Sequence, residues 1–190
     1  MYWVEFLTIA IAHLFAVASP GPDFAVVTRQ CVTGGTRTGV WTSLGVGAGI
    51  LLHVAYCLLG VAVLLSQSPA LFDVVKFVAA GYLLYLGIKS IRKSLVSGPI
   101  DSVSTAQTVV EPGKAFMLGF LTNGLNPKAT LFFLALFTVV ISPSTPVFIQ
   151  LIYGLYLACA TFLWFALLSR LMGRPGVRGT ILRAGHWFER

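Results

Sequence analysis

Two short segments place residues capable of ligand chemistry inside long apolar runs. The first, residues 18–28, holds two prolines, a glycine and the carboxylate of Asp23, and the second, residues 125–129, holds an asparagine, a proline and the ammonium group of Lys128. A proline inside a helix costs about 3 kcal/mol, and a charged side chain at membrane depth costs about 2.5 to 3.5 kcal/mol. The cost of keeping these residues together makes the two segments candidates for a functional site.

Each segment also carries the residues that restart a helix after a break. Gly21 and Asn126 suit the N-cap position, and Pro22 and Pro127 suit the first helical position that follows. The backbone N–H groups at a helix N-terminus attract anions. Each segment lies within an apolar run long enough to span a membrane, and the two spans are expected to cross the membrane in opposite directions. We therefore expect both restarted helices to direct their positive ends towards one site near the membrane midplane.

The two segments carry one positive and one negative side chain, Lys128 and Asp23, and an amino-acid zwitterion has one group of opposite charge for each of them. Lys128 would attract its carboxylate, and Asp23 would attract its ammonium group. The same two residues could instead neutralise each other as a structural pair. Prolines in membrane helices can also be packing kinks that neighbouring helices accommodate. The residues alone leave these alternatives open.

The composition predicts an integral membrane protein. Of 190 residues, 57% are hydrophobic and 10% are charged, and the mean hydropathy is +0.88. Whole segments are apolar on every helical face, which requires lipid as the solvent. The net charge of +7 does not indicate nucleic-acid binding, because the basic residues lie between apolar spans without interleaved aromatic residues.

The spans predict an all-α fold, a polytopic transmembrane helix bundle. Five spans are visible, of six expected, at about residues 3–28, 42–65, 70–88, 115–141 and 147–169. Matching breaks in spans one and four predict a 3+3 inverted repeat. We expect residues 1–93 to form the first three-helix repeat, 94–113 a cytoplasmic linker, and 114–190 the second repeat with its sixth helix missing.

Basic residues alternate between the loops and so predict an orientation. Eleven of the thirteen Lys and Arg residues lie in the loop after span one, around the linker, or after span five. The positive-inside rule places these regions in the cytoplasm and the N-terminus in the periplasm. The loop after span one is expected around Arg29 and Arg37, with a tight uncharged turn at 142–146.

The remaining ionisable side chains give few further candidates. His13 lies within span one and His53 within span two, and either could carry a coupling proton or serve as a packed structural residue. Asp23 is the stronger proton carrier, and His53 is the second candidate. Lys76 is expected either to extend its ammonium group to the membrane surface or to pair with Asp73. No nucleophile constellation, metal cluster or cofactor motif is visible, so we expect a protein that is not an enzyme, with no catalytic residues, no metal and no cofactor.

Five runs, in order along nearly the whole chain, carry a family resemblance: SPGPDF at 19–24, GGTRTG at 34–39, LGVGAG at 44–49, KFVAAGYLLYLG at 76–87 and GFLTNGLNPKA at 119–129. They resemble the LysE/RhtB superfamily of amino-acid exporters, in particular its homoserine/threonine-efflux branch. The paired PGP and NPK motifs are the specific part. The chain departs from the family pattern at Ala79, where glycine is usual, and in lacking the sixth span.

The resemblance implies a multi-pass protein of the bacterial inner membrane that exports small amino acids, such as homoserine or threonine, by proton antiport. The partners implied are the amino acid, protons and the lipid bilayer, with no nucleic acid and a possible homo-oligomer. The expected substrate-binding residues are those of the two segments and one neighbour, namely Ser19, Pro20, Gly21, Pro22, Asp23, Asn123, Asn126, Pro127 and Lys128. Two other functions remain open, an exporter of an inorganic ion or other solute on the same scaffold and a non-transporting membrane interaction subunit.

Overall fold

The computed structural model describes residues 2–95 and 110–174, and these residues form helices and short connections with no strand. The prediction of an all-α fold is therefore confirmed for this part of the chain. The helices are α1 (Tyr2–Ala18), α2 (Pro22–Gln67), α3 (Pro69–Leu95), α4 (Pro112–Gly124), α5 (Pro127–Ala135), which continues as a π-helical turn (Leu136–Val140), and α6 (Val147–Met172).

Two of these helical segments are long and apolar enough to cross a membrane, Pro22–Gly60 and Val147–Met172. At 1.5 Å per residue the 26 residues of α6 extend about 39 Å, more than a hydrocarbon core of about 30 Å. Tyr2–Ala18 and Pro127–Val140 are shorter apolar helices. The number of spans and the inverted repeat stay predictions.

Large apolar side chains on α6 point away from the protein. Leu155, Leu163 and Phe148 are 59%, 62% and 70% exposed. Exposure of so many large apolar groups along one helix is unfavourable in water but favourable against lipid acyl chains. The surface of α6 therefore fits the membrane environment that the composition predicts.

The connection predicted after span one is wrong in its extent. The chain from Arg29 to Arg37 is helical, and the only non-helical backbone recorded inside α2 is at Gly35, with φ 84° and ψ 177°. A positive φ of this size is accessible to glycine at little cost. The charged residues and the glycine pair thus flank a kink at Gly35, where two helical segments meet, rather than a longer loop.

The other predicted connections agree with the structure. α2 ends at Gln67 and α3 begins at Pro69, so a connection lies between the spans predicted at 42–65 and 70–88. The turn at 142–146 separates the π-helical turn from α6. Most of the predicted linker 94–113 and of the basic tail lies outside the described residues, although α3 continues to Leu95 and α4 already begins at Pro112.

The chain divides into two compact units, each of which takes segments from both halves of the sequence. The first unit contains residues 2–19, 50–95 and 124–158 of the described chain, and the second contains 20–49, 110–123 and 159–174. These units do not follow the sequential repeats predicted above, and the repeats stay a prediction.

The core of the first unit is built from α1, the second half of α2, α5 with its π-helical turn, and the first half of α6. Its buried members include Ile9, Val54, Phe133 and Leu157. α3 packs against α5 and the π-helical turn, and α1 packs against the same turn. α5 and its π-helical turn are therefore held by α3 and α1, which belong to the same unit.

The second unit is held by a close contact between α2 and α4. A Cβ atom added to Gly45 would clash with the backbone carbonyl of Phe116, and one added to Gly119 would clash with that of Thr42. Such approach of two helix backbones requires small residues at the crossing. Buried apolar side chains complete this core, among them Val27, Val46 and Phe165.

Candidate functional site

The first break separates α1 from α2 at residues 19–21. α1 ends at Ala18, and α2 begins at Pro22, which is therefore its first residue. The carbonyl of Gly21 accepts the first hydrogen bond of α2, from the N–H of Ala25 at 3.0 Å. Gly21 thus occupies the N-cap position, and the predicted restart of the helix is confirmed.

The second break separates α4 from α5 at residues 125 and 126. Asn126 is the N-cap of α5, and its Oδ1 accepts a 3.0 Å hydrogen bond from the backbone N–H of Lys128. Pro127 fills the first helical position, where its missing N–H costs nothing. Asn126 is buried, 3% exposed, so this cap satisfies a backbone donor where water has little access. The predicted cap is confirmed.

Lys128 reaches the end of α1 within the first unit. Its Nζ donates to the carbonyl oxygens of Ala16 at 3.0 Å and Ser19 at 2.9 Å. The last carbonyls of a helix have no partner inside the helix and form the negative end of its dipole, so an ammonium group there is favourable. The same charge in the first turn of α5 opposes that helix's own dipole. The carbonyls of α1 compensate for this unfavourable position.

Asp23 lies in the second unit, in the first turn of α2, where a carboxylate is favoured by the helix dipole. Nδ2 of Asn123, in the last turn of α4, donates a 3.0 Å hydrogen bond to Oδ2 of Asp23. Asn123 is 1% exposed, whereas Asp23 is half-buried. The absence of a side chain at Gly49 makes room for Asn123. A Cβ atom added to Gly49 would lie only 2.7 Å from Oδ1 of Asn123.

His53 is fully buried in the first unit. Its ring stacks on that of Phe133, with centroids 5.4 Å apart and an interplanar angle of 5°, and its Nδ1 is hydrogen-bonded to the hydroxyl of Tyr56. His13 is also buried, and its ring centroid lies 6.4 Å from that of Phe132. Both histidines thus belong to aromatic packing, and proton coupling by His53 stays a prediction.

The predicted site residues therefore fall into two groups. Ser19, Asn126, Pro127 and Lys128 belong to the first unit, and the second unit holds Pro20, Gly21, Pro22, Asp23 and Asn123. Within the first group the structure joins Lys128 to Ser19 and to Asn126, and within the second it joins Asp23 to Asn123. The first group presents the ammonium group of Lys128, and the second presents the hydrogen-bonded carboxylate of Asp23.

One buried ionisable residue escaped the sequence analysis. Glu5 is 9% exposed and accepts hydrogen bonds from Ser142 and Thr145. The sequence does show an acidic residue, Glu5, near the start of an apolar helix. It does not show that residues 142 and 145, far away in the chain, are the hydrogen-bond partners of Glu5. Across the described residues, no group of three His, Cys, Asp or Glu side chains is placed to hold a metal ion.

A family profile described as LysE type translocator matches residues 14–184. Threonine efflux protein of Escherichia coli is 25% identical over 97% of this chain and 89% of its own length. Leucine efflux protein of Salmonella choleraesuis is 35% identical over 76% of this chain and 65% of its own length. An uncharacterised membrane protein of Escherichia coli is 29% identical over 91% of this chain and 76% of its own length. No solved structure gives a significant match.

Proposed function

Because the chain belongs to the LysE type translocator family, we propose that it is a secondary exporter of small amino acids or their derivatives across the bacterial inner membrane. The proposed substrates are of the homoserine or threonine type, and export is proposed to be driven by proton antiport. The supporting relatives are the threonine efflux proteins, which align with nearly the whole chain. The observation that carries the proposal is the presence of Asp23 and Lys128 at two capped helix breaks.

In the second unit, Asp23 is proposed to bind a cationic ligand. Its carboxylate stands at the start of α2, held by the amide of Asn123, in a half-buried position that a small ion or ammonium group can reach. A substrate ammonium group and a coupling proton are both cations, and alternate occupation by the two is the exchange that antiport requires. Asp23 is therefore proposed for both roles, with His53 as the further proton-coupling candidate.

In the first unit, Lys128 is proposed to respond to an anionic group. Its ammonium group now bonds to two neutral carbonyls at the end of α1. A carboxylate is a stronger partner for a cation than a carbonyl, and it would also be attracted by the N-terminus of α5. A substrate carboxylate that binds Lys128 would thus release the end of α1. Such a release supplies a physical link between binding and movement of a broken helix.

The membrane arrangement is part of the same proposal. We propose five spans of a six-span 3+3 inverted repeat, with α1 and α2 meeting at one break and α4 and α5 at the other. The N-terminus is proposed to face the periplasm, and the linker and basic tail the cytoplasm. The distribution of lysine and arginine supports this orientation.

A second substrate class has its own support. The leucine efflux protein of Salmonella choleraesuis has the higher identity, 35%, although the chain covers 65% of its length. Export of branched apolar amino acids is therefore the second candidate. The two classes differ in the side chain alone, so both leave the proposed roles of Asp23 and Lys128 unchanged.

The proposal is tested by reconstituting the purified protein in liposomes and measuring efflux of preloaded radiolabelled compounds. Threonine, homoserine and leucine are compared with inorganic cations, in the presence and absence of an inward proton gradient, with the outside more acidic than the inside. Efflux of an amino acid that the gradient accelerates supports amino-acid/proton antiport. Efflux of inorganic cations alone supports the alternative ion exporter. Absence of efflux for every compound supports a non-transporting interaction subunit.

A further inference from the structure

Gln30 is a buried polar residue outside the site described above. It lies on the first segment of α2, before the kink at Gly35, and is 8% exposed. Its Oε1 is buried and accepts no hydrogen bond within the part of the chain that the structure describes. A buried amide oxygen without a donor is unfavourable, because it has lost its hydrogen bonds to water and gained none in return. Such an atom is typical of a position that binds a ligand or a water molecule.

Residues on either side of Gln30 contact the last turns of α6. Sγ of Cys31 donates a 3.1 Å hydrogen bond to the carbonyl oxygen of Ser169, and the hydroxyl of Thr28 lies 3.8 Å from Sδ of Met172. All of these residues belong to the second unit. Gln30 therefore lies in a packed region of that unit, and its lack of a donor does not come from exposure to water.

Gln30 shares one face of α2 with Asp23. The two residues are two helical turns apart, which brings them within about 20° of each other around the helix axis. Val27, between them on that face, is fully buried, whereas Ala25 and Arg29 on the other side of the helix are exposed. Asp23 and Gln30 therefore face the same buried side of the second unit.

The spacing of the two polar groups matches one small molecule. Two turns of helix advance about 10 Å, and the longer side chain of Gln30 leans further towards the helix N-terminus than that of Asp23, which shortens the gap. In a hydroxylated amino acid such as homoserine, the nitrogen and the hydroxyl oxygen are up to about 5 Å apart, and a hydrogen bond at each end adds about 3 Å. One such molecule can therefore reach both Asp23 and Gln30.

We propose that Gln30 determines specificity by accepting a hydrogen bond from the side-chain hydroxyl of the exported amino acid. This inference rests on the proposed function, in which Asp23 binds the substrate ammonium group. A hydroxyl proton fills the acceptor that the described chain leaves empty, whereas the methyl groups of leucine leave it buried and without a donor. The proposal therefore favours the homoserine or threonine class over the branched apolar class, because a site with a buried polar group rejects analogues that cannot pair with it.

Pairs of amino acids with the same shape test the acceptor in the wild-type protein. Threonine is compared with valine, and homoserine with norvaline, since each pair exchanges a hydroxyl for a methyl group. Binding is measured as the rise in melting temperature of the purified protein in detergent. We expect each hydroxylated compound to stabilise the protein at about 10-fold lower concentration than its apolar partner. Equal stabilisation within both pairs, or none by any of the four compounds, overturns the proposal.

Replacement of Gln30 by methionine keeps the length of the side chain and removes the acceptor. Gln30→Met should abolish the difference within each pair of compounds. The matched control is Gln150→Met on α6, which removes an amide that donates a 2.8 Å hydrogen bond to the carbonyl oxygen of Thr145 in the first unit. The control should keep the difference. A difference that survives in Gln30→Met contradicts the proposal, because the hydroxyl would then bind elsewhere.

A second variant covers the case in which Gln30→Met does not fold. Gln30→Asn keeps the amide and withdraws it by one methylene group, which widens the gap to Asp23. Binding of threonine should weaken more than binding of homoserine, because the hydroxyl of threonine lies closer to its nitrogen. Equal weakening of both, or the opposite order, contradicts the proposal.

The liposome assay separates this inference from the proposed function. In Gln30→Met the ratio of homoserine to norvaline efflux should fall about 10-fold, whereas Gln150→Met should keep the wild-type ratio. If hydroxylated compounds bind more tightly through Gln30 but nothing is exported, the proposed function fails and the binding site stands. If amino acids are exported and neither variant changes the ratio, the role of Gln30 in specificity is overturned and the proposed function stands.

Discussion

Nδ2 of Asn123 donates a 3.0 Å hydrogen bond to Oδ2 of Asp23, across 100 residues of sequence. The bond joins the last turn of α4 to the first turn of α2, so each residue stands at a helix end next to a break. Because Asn123 is 1% exposed and fills the space left by Gly49, its position is set by packing. The carboxylate of Asp23 is thereby held in one place by the core of the second unit.

Replacement of Asn123 by alanine is expected to lower amino-acid efflux about 10- to 100-fold. A hydrogen bond to a charged group contributes about 1.5 to 3 kcal/mol, and its loss frees Asp23 from its fixed position. The initial rate of efflux from loaded liposomes is the measurement. The control is Leu121→Ala, at an exposed position on the same helix, which should retain the wild-type rate. An unchanged rate in Asn123→Ala would remove Asn123 from the proposed site.

Replacement of Lys128 by methionine is expected to destabilise the protein by about 1 to 3 kcal/mol. The variant keeps most of the side chain's length but leaves the carbonyls of Ala16 and Ser19 without their charged donor. Thermal unfolding in detergent measures the effect. Lys114→Met, at an exposed position, should change stability by less than about 0.5 kcal/mol. Equal stability of the two variants would show that Lys128 does not cap α1.

Replacement of Asn126 by alanine is expected to cost about 1 kcal/mol of stability. The amide oxygen caps α5 by accepting from the N–H of Lys128, and alanine has no acceptor to replace it. Asn126→Asp, which keeps an acceptor at the same distance from the backbone, is the matched control and should recover most of the loss. Comparison of the two melting temperatures decides whether the hydrogen bond or the size of the side chain matters.

Replacement of Gly45 by alanine is expected to destabilise the second unit by about 1 to 3 kcal/mol. The added methyl group would meet the backbone carbonyl of Phe116, which belongs to α4 and cannot move without its helix. Gly60→Ala is the control, since nothing lies within 4 Å of a Cβ atom there and alanine favours a helix. Protein that melts at the same temperature in both variants would contradict the close contact of α2 and α4.

Local chemistry explains what the sequence predicts well. The caps at Gly21 and Asn126 and the prolines that follow them depend on neighbouring residues only, and the structure confirms both restarts. The all-α fold follows from apolar runs too long for strands. The kink at Gly35 was predicted as a loop, because two glycines and nearby arginines resemble a connection when the continuing helix on either side is not considered.

Long-range partners explain what the sequence does not predict. Asn123 was expected near the site as part of a motif, but its bond to Asp23 requires the packing of α2 on α4. Contact between Lys128 and the end of α1 likewise depends on the fold of the first unit. Glu5 was missed because its donors come from residues 142, 145 and 153, which no local pattern links to it.

The most direct test of the account is the efflux of amino acids by an Asp23→Asn variant, which keeps the shape of the side chain and removes its charge. Asp73→Asn, on α3, is the matched control. Both proteins are reconstituted at equal amounts, and their melting temperatures are measured to check that they are folded. Efflux is then measured with and without an inward proton gradient, with the outside more acidic than the inside. The account predicts that Asp23→Asn loses the efflux that the gradient drives, while Asp73→Asn keeps it. Gradient-driven efflux by folded Asp23→Asn at the wild-type rate would contradict it.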